Sequence, residues 1–159
     1  MILQNNLFII IVFLVLSSCG FKVVDQNLTK NFSIEEINFN GDNRINYLIK
    51  NKLSTREENT NNNKRSIKLN IDTETNKNIK EKNIKNQITK YEVTITTQIS
   101  FILLGENIER NFNIIKSGDY DVANKYSDTL ANEKNLIKSL SKEIADKIIN
   151  NLLIKINDL

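Results

Sequence analysis

Histidine, proline and tryptophan are absent from this 159-residue chain, and cysteine occurs once. Without histidine the chain cannot form a Ser-His-Asp or Cys-His pair, and it has no imidazole to bind zinc or transfer protons. A single cysteine excludes an intramolecular disulfide framework and a Cys-x-x-Cys metal knuckle. We therefore predict that the protein is not an enzyme and that it holds no metal or other cofactor.

The charge balance is also informative, because 22 Lys plus Arg face 19 Asp plus Glu. A net charge of +3 is too small to indicate a nucleic-acid-binding domain, which carries clustered basic residues. Asparagine is abundant and lysine far outnumbers arginine, which we interpret as compositional bias rather than as a site. The length allows a single domain with a modest core.

The first feature that is present is an unbroken apolar run at residues 7–16. It is about half the roughly 20 residues that a membrane-spanning helix needs, and it has the length of a signal-peptide core. The run ends in Leu16-Ser17-Ser18-Cys19, which looks like a bacterial lipobox. We predict a signal peptide at residues 1–18 and a mature chain, 19–159, that is anchored in the membrane through acyl chains on Cys19.

Two details qualify the lipobox. No Lys or Arg precedes the apolar run, so an ordinary signal peptide with an accidental cysteine is the alternative. The residue after the cysteine is Gly20 rather than the Asp that retains many bacterial lipoproteins in the inner membrane, which indicates sorting to the outer membrane.

The mature chain first predicts a strand and a helix. Residues 32–39 alternate as in a strand, with a phase slip at Glu35-Glu36. Residues 41–43, Gly-Asp-Asn, predict a turn and a helix N-cap. Apolar positions then fall at helical spacing over residues 44–53.

A second strand and two polar segments follow. Residues 57–64 form a polar loop of low complexity, and residues 67–71 alternate as in a half-buried strand. Strand, helix and strand in this order indicate a parallel crossover. Residues 73–86 are dense in Lys and Asn, and they predict a long loop that could meet a ligand.

The remaining pattern predicts a hairpin and a long helix. Residues 91–101 alternate and are rich in β-branched side chains, so they form the strongest predicted strand. A turn at 104–107 leads into a strand at 108–115. An apolar stripe with four-residue spacing then runs from Val122 to Ile156.

These elements predict an α+β two-layer sandwich, with two helices packed on one face of a four-stranded mixed β-sheet. The other face carries the polar alternating positions of strand 91–101, which suit either solvent or a wet interface. Those positions are Glu92, Thr94, Thr96, Gln98 and Ser100.

The order of elements after a lipobox with Gly20-Phe21 resembles the LPS-assembly lipoprotein family, LptE. The resemblance covers nearly all of the mature chain, and its more specific part is the C-terminal stretch. The residues that carry it there are Tyr120, Tyr126-Ser127-Asp128-Thr129-Leu130-Ala131, Glu133, Leu140, Ile144-Ala145-Asp146 and Ile148.

The resemblance implies a lipid-anchored protein on the periplasmic side of the outer membrane of a Gram-negative bacterium. It implies that the chain plugs the β-barrel LptD, assists its assembly and helps to insert lipopolysaccharide at the cell surface, and it implies no nucleic acid as a partner. Because lipopolysaccharide is acidic, basic side chains in and near the polar segments are candidate contacts. They are Lys64, Arg65, Lys68, Lys80, Lys82, Lys85 and Lys90.

Other functions stay open at this point. The chain could be an accessory lipoprotein of a barrel-insertion, secretion or pilus system, or a small periplasmic solute-binding module. A hydrolase using Glu35 with Glu36, or Asp119 with Asp121, is disfavoured because adjacent or alternate carboxylates give no reason for perturbed pKa values. We interpret these pairs as edge charges and a turn.

Overall fold

The computed structural model describes residues 32–54, 65–106 and 108–158. It contains a four-stranded sheet in the order β1-β2-β3-β4, with β1 parallel to β2 and the other neighbours antiparallel. Both helices pack on the same face of this sheet, which confirms the predicted α+β two-layer sandwich. The elements are β1 Phe32–Gly41, α1 Asn43–Ser54, β2 Arg65–Lys82, β3 Ile88–Leu103, β4 Ile108–Asp121 and α2 Tyr126–Asn157.

The core lies between the helices and one face of the sheet. In β3, alternate side chains from Val93 to Leu103 are buried, while those between them face away from the helices. Side chains that alternate in a strand point to opposite faces, so the observed pattern is the predicted one. We call the face without helices the open face.

The phase slip predicted at Glu35-Glu36 is confirmed as a bulge in β1. Ile34 pairs with Ile67, but Glu36 pairs with Lys68, so one residue of β1 is left without a partner in the register. The extra residue lets the apolar side chains on both sides of the bulge face the helices.

The predicted turn and N-cap between β1 and α1 are confirmed. Gly41 has φ +85°, and a Cβ on it would lie 1.9 Å from the carbonyl oxygen of Thr73, so the position requires glycine. Asp42 Oδ1 accepts hydrogen bonds from the backbone N–H groups of Arg44, at 2.9 Å, and Ile45, at 3.2 Å. These bonds satisfy two of the free N–H groups of the first helical turn.

The prediction of a long loop at residues 73–86 is wrong. β2 continues to Lys82 and pairs with β3 from Ile67 to Lys82, and a tight turn occupies residues 83–87. Residues 76–82 are mostly polar and exposed on both faces, and β1, which ends at Gly41 opposite Thr73, leaves this part of β2 at the edge of the sheet. The polar composition of this segment therefore indicates exposed side chains and not an irregular backbone.

Two further boundaries differ from prediction. β4 runs on to Asp121, so Asp119 and Asp121 lie in a strand and not in a turn. α2 begins only at Tyr126, which leaves Val122 outside it, and Tyr126 and Leu130 are 76% and 46% exposed. The apolar stripe thus becomes core only from Ile137 onward, several turns later than its spacing indicates.

Candidate functional site

The structure does not bring the seven basic candidates together, and some of them have structural partners. Lys64 lies outside the described residues. Arg65 Nη1 donates a hydrogen bond to the backbone oxygen of Ile156, 2.8 Å away, and so binds β2 to the C-terminal end of α2. Lys68 Nζ lies 2.8 Å from Glu36 Oε2 across the β1–β2 pair, and this hydrogen bond and charge raise the pKa of Lys68 and lower that of Glu36.

Lys80 is also neutralised by carboxylates on the open face. Its ammonium group donates a hydrogen bond to Asp119 of β4 and lies 3.7 Å from Glu92 Oε1 of β3. The hydrogen bond to Asp119 is the main cause that raises the pKa of Lys80. This lysine therefore links three strands and offers little free charge to a ligand.

Lys90 has the same kind of environment near the distal end of the sheet. Its ammonium nitrogen lies 3.2 Å from Glu81 Oε1 and 3.8 Å from Asp121 Oδ1. The carboxylates on either side of it balance its charge, so an anionic ligand would compete with them for Lys90.

Lys82 and Lys85 differ from these residues, because neither forms an ion pair with another residue that the structure describes. They flank the tip of the β2–β3 hairpin, where Ile84 is fully exposed. Asn83 Oδ1 closes the turn by accepting hydrogen bonds from the backbone N–H groups of Lys85 and Gln87 at 2.9 and 3.0 Å. Of the candidates described, these two lysines have the freest charge.

A cluster that the sequence analysis missed joins the hairpin to α2. Lys77 Nζ lies 4.4 Å from the ring centre of Tyr91 and 5.1 Å from that of Tyr120, and the two rings stack with centres 5.6 Å apart. Glu133 Oε2 is 2.7 Å from both Lys77 Nζ and Tyr120 Oη. We call these four residues the tyrosine cluster. Tyr120 and Glu133 were noted only for the family resemblance, and Lys77 fell in the predicted loop, so no sequence signal joined them.

The groups of the tyrosine cluster shift one another's pKa values. Burial alone would raise the pKa of Glu133, but hydrogen bonds from Lys77 and Tyr120 outweigh it and lower the pKa. Burial alone would lower the pKa of Lys77, but its hydrogen bonds with Glu133 and Tyr120 raise it instead. The pKa of Tyr120 is raised, mainly by burial. The cluster therefore favours charged Lys77 and Glu133 and a neutral Tyr120 at neutral pH.

The open face is mostly polar, with Ile115 of β4 exposed on it, and it contains a concavity of about 440 Å³. One row of paired residues across it consists of Asn40, Asp72, Gln98 and Asn113, and we call it the amide row. All four of its residues are exposed. Polar side chains in this number, on a surface without helices, form a potential binding surface.

Two kinds of site are not found among residues 32–54, 65–106 and 108–158. No group of three or more carboxylate or cysteine side chains there could hold a metal ion. No helix in those ranges is long and apolar enough to cross a membrane.

The comparison that decides the family is a match to the LptE lipopolysaccharide-assembly model over residues 29–152. The chain belongs to the LptE family. This match includes the whole sheet and most of α2, and it confirms the resemblance drawn from the sequence. LptE proteins are non-enzymatic lipoproteins of the outer membrane that act in lipopolysaccharide assembly.

Solved structures of lipoproteins have the same fold. Rare lipoprotein B from Shewanella oneidensis superposes with a TM-score of 0.59 and 14% identity, covering 77% of this chain and 97% of that one. A lipoprotein from Caulobacter crescentus has a TM-score of 0.56 and 18% identity, covering 82% and 93%. At such low identity these likenesses show the fold alone. Among curated proteins, none matches the sequence.

Proposed function

We propose that this LptE-family chain is an outer-membrane lipoprotein that plugs the lumen of the β-barrel LptD, assists its assembly and helps to deliver lipopolysaccharide to the cell surface. The family match over residues 29–152 is the observation that carries the proposal. The compact sandwich with a polar open face suits a water-lined barrel lumen. The proposal includes the absence of catalysis, in keeping with a family of non-enzymatic lipoproteins.

The anchor is part of the same proposal. The Cys19 thiol would accept a diacylglycerol, and the amine freed by cleavage before Cys19 would be acylated. Two or three acyl chains suffice for stable attachment, whereas one does not. Twelve residues, 20–31, separate this cysteine from the start of β1. They can span up to about 40 Å when extended, so the fold could reach a partner that is not at the membrane surface.

For lipopolysaccharide, the proposal selects the hairpin tip from the seven basic candidates. Lys82 and Lys85 have no ion-pair partner among the described residues, and the exposed Ile84 lies between them. Cationic groups beside an apolar side chain fit a lipid with acidic groups next to its acyl chains. Arg65, Lys68, Lys80 and Lys90 already have partners, so they rank lower as contacts.

Co-purification tests the partner. The full chain, tagged after Leu159, would be extracted with detergent from membranes of its own host, and the proteins that co-purify would be identified by mass. Recovery of LptD in near-equal amount supports the proposal. Recovery of a barrel-insertion, secretion or pilus component in place of LptD would instead support an accessory role in another envelope system.

A Cys19→Ala variant tests the anchor in the same strain. We expect the Cys19→Ala chain to lack the acyl mass and to leave the membrane fraction, while a Ser18→Ala control keeps both, because alanine is also a small residue. An unchanged mass and membrane fraction in Cys19→Ala would refute lipidation without affecting the family assignment.

A further inference from the structure

The open face has an unequal distribution of hydrogen bonds. Asn38 Nδ2 donates to Asn70 Oδ1 at 3.1 Å, and Asn70 Nδ2 donates to Ser100 Oγ at 3.4 Å, so these neighbouring side chains satisfy one another. Further along the face, Thr94 and Ser117 hydroxyl oxygens lie 2.9 Å apart. In most rows of paired residues on this face, side chains of the same row thus bond to one another.

The amide row differs from these rows. None of the side chains of Asn40, Asp72, Gln98 and Asn113 makes a hydrogen bond to another residue within the described ranges. All four line the 440 Å³ concavity, whose floor includes Ile71 and Ile99. Neighbouring strands lie about 4.8 Å apart, so the row extends over about 14 Å. It therefore presents an uninterrupted line of unused donors and acceptors.

We propose that the amide row binds the uncharged sugar residues of lipopolysaccharide. Carboxamides donate and accept at once, and a carboxylate accepts two hydrogen bonds, which matches hydroxyl groups that also donate and accept. A row of this length accommodates a short oligosaccharide rather than a single ring. The source of the sugar rests on the proposed function, whereas its chemistry rests on the row itself.

The charges next to the row exclude acidic ligands. Asp72 is in the row, and Glu74 follows it on the same face, with no basic partner for either among the described residues. Phosphates and acidic sugars would be repelled by these carboxylates. The open face and the lysine-bearing hairpin tip would thus contact different parts of one molecule, the hexoses and the acidic groups respectively.

The binding of free sugar should be weak. No aromatic ring lies in the row, so each contact is a hydrogen bond that replaces one to water and contributes little net affinity. We expect a millimolar dissociation constant for a neutral trisaccharide. Weak binding suits lipopolysaccharide, because the protein must release it for delivery to the cell surface.

Titration of the full, acylated chain with maltotriose tests the inference, in a detergent without a sugar head group. The side-chain amide resonances of Gln98 and Asn113 should shift, and Gln98→Ala or Asn113→Ala should each weaken binding about fivefold. Asn78→Ala is the matched control, since it removes an exposed amide of the same face outside the concavity, and it should leave binding within about twofold. If either alanine variant unfolds, the near-isosteric Asn113→Asp replaces it, and it should also weaken binding because it removes the two N–H donors of the amide. No shift at tens of millimolar sugar would overturn the inference.

Two forms of lipopolysaccharide separate this inference from the proposed function. The wild type should bind the form with a complete oligosaccharide several-fold more tightly than a form truncated before its hexoses, and Gln98→Ala should lose that preference. Equal binding of both forms refutes the role of the row and leaves the proposed function in place. Binding of neither form refutes the lipopolysaccharide role itself.

A photo-crosslinking residue at position 98 tests in the cell whether lipopolysaccharide or LptD covers the amide row. A crosslink to lipopolysaccharide is the expected product. A dominant crosslink to LptD would show that a barrel wall covers the amide row, and it would overturn the inference while supporting the proposed function.

Discussion

The part of the sheet under the helices and the hairpin beyond α1 are stabilised in different ways. Under the helices, apolar side chains of β2, β3 and β4 are buried, among them Phe101 and Ile95 at 0% exposure, and those of β1 pack against them partly buried. In the hairpin, residues 76–92, the stabilising contacts are the β2–β3 ladder, ion pairs on the open face and the tyrosine cluster. A strand can therefore persist without an apolar face when its backbone is paired and its charges are matched.

The largest effect should come from the buried half. Phe101→Ala removes a fully buried ring, and we expect it to lower the free energy of unfolding by about 3–5 kcal/mol because a cavity remains. The control is Ile84→Ala in the hairpin, whose side chain is fully exposed and which should change stability by less than about 0.5 kcal/mol. Urea unfolding of the full chain in detergent measures both. Equal losses would contradict the division into two differently stabilised parts.

The junction between the two parts is Gly41, where β1 leaves the sheet. Gly41→Ala places a Cβ 1.9 Å from the Thr73 carbonyl oxygen at φ +85°, so we expect a loss of about 2–3 kcal/mol. Gly105→Ala is the matched control, because Gly105 also has a positive φ, of +92°, but has nothing within 4 Å of a Cβ. It should cost about 1 kcal/mol. If the two variants lose the same stability, backbone strain alone explains the loss in Gly41→Ala, and the close approach of Gly41 to β2 contributes nothing to it.

The same division explains what could be predicted from sequence. Period-two and helical spacing located every element with an apolar face, including the bulge at Glu35-Glu36. They failed at residues 73–82, where the strand is exposed on both faces from residue 76 onward and its polar residues look like those of a loop. The hydrogen bonds that keep it extended come from β3, a partner that local pattern does not reveal.

The candidate site was less predictable for a related reason. The seven basic residues were selected by charge alone, and charge does not show that Lys80 faces Asp119 or that Arg65 faces the end of α2. The tyrosine cluster unites residues 56 positions apart along the chain, Lys77 and Glu133. Only the register of three strands and the position of α2 bring such residues together.

The tyrosine cluster is the contact through which the helical layer supports the hairpin. Glu133→Gln keeps the shape but removes the charge, and we expect a loss of about 1 kcal/mol at pH 7, limited by the 40% exposure of the Lys77 side chain. Glu143→Gln is the control, since Glu143 also joins α2 to a sheet lysine, Lys116, but lies outside the cluster. It should cost only about 0.3 kcal/mol.

The pH dependence of that difference gives a sharper test. The pKa of Glu133 is lowered from 4.5, so its stabilisation is present above pH 4.5 and is lost as the pH falls through the folded-state value. The pKa values of Lys77 and Tyr120 are raised, so their contributions are present below pH 10 and are lost at higher pH. The stability difference between wild type and Glu133→Gln should be constant near neutrality and shrink in acid. A difference that persists unchanged in acid would exclude the charge of Glu133 as its cause.

The smallest effect on global stability is expected at the hairpin tip. Asn83→Ala removes the oxygen that accepts hydrogen bonds from two backbone N–H groups of the turn. The positive φ of Asn86, 61°, then loses the support of these bonds. The unfolding midpoint should not change measurably, because no core contact is lost, yet amide hydrogen exchange should accelerate in residues 80–90. Asn78→Ala, which removes an exposed amide without a side-chain hydrogen bond in the described structure, should leave exchange unchanged. Faster exchange throughout the sheet in Asn83→Ala would mean that the hairpin and the helix-covered half unfold as one unit, and the difference between them would then be one of composition and not of stability.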